Sequence, residues 1–324
     1  MKKIWLVSLI AVFLFTVTGC KKADIPGKED GKIDIVCTTF PQYDWTRNLI
    51  AGVENQYNIT LILNQGTDMH SYQPSAEDII KITECDLLIY GGGESEHWVK
   101  DALKKPKNPD LMTICLMDTL GDSVKEEVLI EGMQAEQDAD EHEESDVESD
   151  EHVWLSVKNA KVFVEAIADT LILLDSDNKQ TYENNSANYK NQLDELDKQF
   201  EDAVMDAKHD TVVFADRFSF LYMMEDYGLN YYAAFPGCSA ETEASFDTIM
   251  YLAGKIDEND LSCVMVLENS DHKLADTIVS NTKTRNQTIV EMYSMQSITN
   301  SMLDTMSYIS FMQQNIEALK TVLN

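Results

Sequence analysis

Short apolar runs alternate with longer amphipathic stretches through most of the chain. In the first half, Ile33 to Phe40, Ile59 to Leu63, Asp86 to Tyr90 and Leu111 to Cys115 are compact runs rich in Ile, Leu and Val, a pattern that predicts strands. Tyr43 to Ala51, Ala76 to Glu84 and Glu96 to Lys104 lie between them with helical spacing of their apolar residues. The second half repeats this grammar. Strands are predicted at Thr211 to Ala215, Asn230 to Ala234, Cys263 to Leu267 and Thr288 to Glu291, and helices at Phe218 to Asp226, Glu241 to Lys255, Lys273 to Thr282 and Ser301 to Val322. Between the halves, Lys179 to Lys208 contains neither Gly nor Pro and is crowded with helix formers, which predicts one long helix. The expected fold class is therefore α/β. Residues 33–178 and 209–324 form two lobes, each a mostly parallel sheet flanked by helices, joined by a rigid linker helix over 179–208. Sheets of this kind bind ligands beyond the carboxyl ends of their strands, so a site is expected in the cleft between the lobes.

Two segments depart from the alternation. At the start, Lys2 and Lys3 precede an apolar run from Ile4 to Val17 that ends in Thr18, Gly19 and Cys20. The run is shorter than the roughly 20 residues of a membrane span, and it has the layout of a secretory signal. Val17-Thr18-Gly19-Cys20 resembles the bacterial lipobox. The resemblance implies removal of residues 1–19, a lipid anchor on Cys20, a tether over 20–32 and an extracytoplasmic, membrane-anchored protein. The second departure is acidic. Residues 136–151, within a loop bounded at 131–151, hold ten acids and His142 but no base, and such self-repulsion predicts a solvated loop.

Composition narrows the function. Over 324 residues, 57 acidic against 25 basic side chains give a formal net charge of -32, which disfavours non-specific nucleic-acid binding. The 44% of hydrophobic residues suffices for a sizeable core, so the charge does not mark a disordered chain. Beyond Cys20 the cysteines are Cys37, Cys85, Cys115, Cys238 and Cys263. Their odd number and the lack of a Cys-x-x-Cys spacing indicate neither a disulfide framework nor a thiolate metal site, and most read as buried small hydrophobes.

Two histidines occupy positions suited to a metal. His70 follows the strand ending near Leu63, ahead of a helix whose expected cap is Ser75 with Asp78 three residues on. His152 follows the acidic loop directly, ahead of another helix. Two imidazoles at equivalent junctions suit a transition-metal site, although either alone would more often be a structural residue.

At this point the chain resembles a family. The lipobox, Thr38-Thr-Phe-Pro-Gln-Tyr43, the Gly66-to-Asp78 histidine loop, the acidic insertion, His152-Val-Trp154 and the Tyr222-to-Leu229 segment follow in the order seen in zinc and manganese solute-binding proteins of ABC importers. The resemblance implies one divalent metal held between two lobes, by two His of the first and by a His or Glu and an Asp or Glu of the second. His70 and His152 match the first pair, and Glu291, closing its strand, stands where the resemblance places the acidic ligand. The third position falls on Arg217, which cannot coordinate a cation because it stays protonated. Asp216 beside it is the expected substitute, the alternative being a plain ion pair with Arg217. Glu243 and Glu268 have weaker claims, Glu268 being expected as a partner of Arg217. His97, His209 and His272 are expected at the surface, and His142 with its acidic neighbours would gather metal only weakly.

The implied function is an extracytoplasmic, lipid-anchored solute-binding protein that captures Zn²⁺, alternatively Mn²⁺, and delivers it as a monomer to an ABC permease and its ATPase. A secreted metal-dependent hydrolase and a metal-stabilised adhesin are the competing classes. The sequence lacks a His-Glu-x-x-His helix, a Gly-x-Ser-x-Gly elbow and a phosphate loop, so no enzyme is expected.

Overall fold

The computed structural model describes residues 31–134, 148–239 and 243–324; the apolar leader, Cys20 and His142 lie outside the described residues. The first lobe is built on β1 (Ile33–Cys37), β2 (Tyr57–Leu61), β3 (Leu87–Tyr90) and β4 (Met112–Cys115), all parallel, in the spatial order β2-β1-β3-β4. Around this sheet pack α1 (Phe40–Leu49), α2 (Ala76–Glu84), α3 (His97–Ala102), α4 (Leu116–Leu120) and α5 (Val157–Leu174). After α6 (Lys179–Met205), the second lobe repeats the plan with β5 (Thr211–Phe218), α7 (Leu221–Tyr227), β6 (Asn230–Pro236), α8 (Phe246–Glu258), β7 (Cys263–Leu267), α9 (Lys273–Ser280) and β8 (Thr288–Met292). Its sheet is again wholly parallel, in the order β6-β5-β7-β8, and α10 (Asn300–Leu303) and α11 (Tyr308–Val322) close the chain.

The strands differ from the predicted runs chiefly at their ends, where caps override apolarity. The first run was expected to reach Phe40, yet β1 stops at Cys37. There Gln42 Oε1 accepts the N–H groups of Thr38 and Thr39, at 2.9 and 3.1 Å, and Pro41 fits the first helical turn. β5 runs three residues beyond Ala215, carrying Asp216 and Arg217 on the sheet through an irregularity between Phe214 and Arg217. Ser245 starts α8 by accepting the Thr248 N–H, several residues after the expected start at Glu241. The predicted final helix is interrupted before Tyr308, where Ser307 caps a fresh start by accepting from Ser310 N–H. Ser75 caps α2 as expected, with Asp78 completing the reciprocal pair.

The long helix α6 buries Tyr182, Tyr189, Leu193, Leu196 and Phe200, residues three, four or seven apart that form one helical stripe. That stripe faces α1 and α5 of the first lobe and α11 of the second. A seam of side chains runs beside it. Trp45 of α1 is fully buried, with its ring centroid 5.7 Å from that of Phe163 on α5 and 5.1 Å from that of Tyr308 on α11. The buried Asp44 accepts the Tyr308 backbone N–H at 3.0 Å and the Tyr189 hydroxyl at 3.3 Å, and Tyr308 in turn donates to the Trp154 carbonyl at 2.8 Å. One apolar core is thus continuous from lobe to lobe. No helix among the described residues is long and apolar enough to cross a membrane.

Candidate metal centre

Parallel strands deliver their following loops to the same edge, and the carboxyl ends of both sheets here meet at one cleft. β2 leads to Asp68 and His70, β3 to Gly91 through Glu96, β5 ends in Asp216 and Arg217, β7 leads to Glu268 and β8 to Ser294 and Gln296. A cavity of about 750 Å³ opens there, with Asp68, Arg217, Glu243, Glu268 and Gln296 among its walls.

His70 sits on a single 3-10 turn, Met69–Ser71, whose cap is Asp68: its Oδ1 accepts the His70 N–H at 3.0 Å. The imidazole Nδ1 lies 2.7 Å from Ser95 Oγ, which leaves Nε2 facing inward. His152, fully buried ahead of α5, has both its N–H and its Nδ1 on Asp150 Oδ1, at 2.8 and 3.2 Å. Its Nε2 stands 3.2 Å from His70 Nε2 and 2.9 Å from Gln296 Oε1. The folded chain therefore brings together the two histidines singled out in the sequence, each ring fixed through its other nitrogen. Two nitrogens bound to one tetrahedral zinc at about 2.0–2.1 Å would lie about 3.3 Å apart, close to the spacing found.

Electrostatics divides the pair. Burial, reinforced by the adjacent His152, lowers the His70 pKa to about 3. For His152 burial also opposes protonation, but Asp150 and Glu151 outweigh it and hold its pKa above the ordinary value. The site thus keeps one neutral imidazole with a free lone pair beside one that attracts positive charge, and a divalent cation can take the place of that proton.

The second lobe presents something other than the expected ligands. Arg217 reaches across the cleft to form an ion pair with Asp68 and donates to the Ser239 carbonyl at 3.4 Å. Burial works against ionisation of Asp68, yet Arg217 more than compensates and holds the carboxyl below its usual range. Asp216, the expected substitute ligand, has its two oxygens on the backbone N–H groups of Arg217 and Leu267, at 2.9 and 3.2 Å, and is not brought to the imidazole pair. Glu291 is a clear correction. It lies on the edge strand β8 with its side chain 44% exposed and 3.4 Å from His272 Nε2, so it is engaged at the surface and not at the imidazole pair. Gln296, five residues further on, reaches His152 in its place. Glu268 is not the ion-pair partner of Arg217: it is buried and accepts the Ser294 N–H and hydroxyl at 2.7 and 2.8 Å. Glu243 stays at the cavity wall, while His97 is exposed as expected and His272 is half-buried.

Two glycines make this packing possible. Gly93, at φ +83°, allows Glu151 to approach so closely that a Cβ there would lie 2.5 Å from its side chain. A Cβ on Gly237 would lie 2.5 Å from the Phe218 carbonyl oxygen and 3.1 Å from His152 Cε1.

Burial raises the Glu268 pKa from 4.5 to about 7, the serine hydrogen bonds only partly offsetting it. Because the folded state holds this proton more tightly than the unfolded chain, its stabilising effect is full below pH 4.5 and is lost as the pH rises through 7. Glu268→Gln should therefore flatten the decline in stability across that window, by up to about 3 kcal/mol. Denaturant melts of both proteins at its two ends test this; parallel losses would show that Glu268 is not the titrating group.

The family description that matches residues 35–322 reads zinc-uptake complex component A, periplasmic (ZnuA). The chain belongs to the ZnuA family. Among curated relatives, the zinc-binding lipoprotein AdcA of Streptococcus pneumoniae R6 is 33% identical over 326 residues, 99% of this chain and 61% of AdcA. The chain thus spans about three fifths of the length of that relative. The high-affinity zinc uptake system protein ZnuA of Bacillus subtilis is 26% identical over 321 residues, 97% of this chain and 96% of that protein. Among solved structures, the Zn(II)-bound ZnuA-like domain of S. pneumoniae AdcA superposes with a TM-score of 0.70 at 29% identity, covering 90% of this chain and 99% of that domain. The ZnuA-family fold of two parallel-sheet lobes around a long helix is the fold found here.

Proposed function

We propose that this chain is the lipid-anchored, extracytoplasmic solute-binding component of an ABC importer, and that it captures Zn²⁺ and hands it to the membrane permease. The observation that carries this reading is the pair of imidazole nitrogens 3.2 Å apart, each ring oriented from behind, at the mouth between two lobes. Imidazole is a ligand suited to zinc, whereas manganese is better served by carboxylate, carbonyl and water, so this pair favours zinc. A capture protein needs ligands fixed in advance, and the continuous interlobe core supplies that rigidity. Relatives named for zinc binding and for zinc uptake support the cargo.

The purified chain should bind one Zn²⁺ with high affinity in competition with a chromogenic chelator, and a large excess of Mn²⁺ should not displace it. Failure to retain zinc against the chelator would refute the reading. Residues 1–19 are the proposed signal and 20–32 the tether, so Cys20→Ser should release the protein from the membrane fraction into the medium or periplasm. Unchanged membrane association of that variant would remove Cys20 as the anchor.

A further inference from the structure

The acidic run before His152 contains a carboxylate with an unfilled role. Glu151 is 2% exposed; its Oε1 accepts the Ser95 N–H at 2.8 Å, whereas Oε2 has no hydrogen-bond partner. A carboxylate oxygen kept from water without a donor is costly unless another positive group occupies the place. Beside it stand two further donors. An imidazole nitrogen of His70, a Glu151 carboxylate oxygen and the Cys238 sulfur lie within 4.8 Å of one another. Cys238 is held on the turn after β6 by its backbone N–H, which donates to Glu127 Oε1 at 2.9 Å, and Gly237 before it lets the turn pass close to the His152 ring.

Several other polar groups of the cleft are already engaged or carry no charge. Asp68 is paired with Arg217, Asp216 is engaged by backbone amides, and Gln296 is neutral.

We infer that Glu151 and Cys238 complete the metal site with the imidazole pair, giving a mixed nitrogen, oxygen and sulfur centre for a borderline-soft divalent cation. The inference rests on the importer reading and refines its ligand set. As the sulfur–metal bond forms, the Cys238 S–H proton is released to solvent, and no oxidation state changes. A thiolate at this position moves the preference further from manganese and towards zinc.

Cobalt(II) is the probe. Wild-type protein loaded with Co²⁺ should show a near-ultraviolet thiolate-to-metal charge-transfer band that Cys238→Ser lacks, and Cys238→Ser and Glu151→Gln should each bind Zn²⁺ at least about tenfold more weakly. A cobalt-loaded wild type without that band overturns the inference while leaving zinc capture by the imidazole pair intact. A wild type that binds neither metal overturns both. Because the deciding spectrum is taken on the unaltered chain, poor folding of a variant does not blunt the test.

Discussion

His70→Ala should lower zinc affinity by at least about a hundredfold while leaving the protein folded. His70 belongs both to the imidazole pair and to the His70–Glu151–Cys238 cluster, so its loss removes a direct ligand in either arrangement. Loss of a mere outer-sphere partner already costs ten- to a hundredfold in metal sites. The structural cost is small because the residue sits on a short turn whose backbone is held by Asp68 rather than by the imidazole. Binding linkage sharpens the measurement. Zinc at about a thousand times its dissociation constant adds about 4 kcal/mol to the folded state, so the wild-type melting temperature should rise on adding zinc and that of the variant should not. An unchanged chelator-competition curve for the variant would take His70 out of the site.

Trp45→Ala should cost about 3–5 kcal/mol of global stability, the range for removing a large aromatic side chain from a core. The indole is completely enclosed, and it touches rings on helices of both lobes. Its neighbour Asp44 depends on the same packing to stay within reach of Tyr308 and Tyr189. The loss should therefore appear as one cooperative transition at lower denaturant, not as early melting of one lobe. Two separated transitions in the variant, or a loss below about 1 kcal/mol, would show that the seam does not couple the lobes.

The alternation of apolar runs and amphipathic stretches was enough to read two parallel-sheet lobes and the linking helix, because both periods are imposed by burial of one face or two. Strand and helix ends are less legible: Gln42, Ser245 and Ser307 set them through a few side-chain hydrogen bonds that carry little weight in hydropathy. Among candidate ligands, His70 and His152 stood out because few other residues combine a metal donor with a loop at a strand end. Gln296 was missed since a neutral amide carries no such signature. Glu151 is concealed among the ten acids of its run, and nothing in the sequence separates Cys238 from cysteines that only pack, because thiol and methyl-sized hydrophobe look alike without neighbours. Glu291 misled for the opposite reason. A charged residue near the end of an apolar strand looks functional until its exposure and its contact with His272 place it at the surface.

The Asp68–Arg217 contact joins the lobes at the front of the cleft, while Trp45, Asp44 and α6 join them at the back. A body fastened along both edges has no hinge line. Opening of the cleft then falls to its loops and not to a swing of whole domains. The front fastening is an ion pair with both partners partly in water, so ionic strength loosens it while leaving the apolar back untouched. Salt should therefore act on the front of the cleft before it acts on the core that joins the lobes.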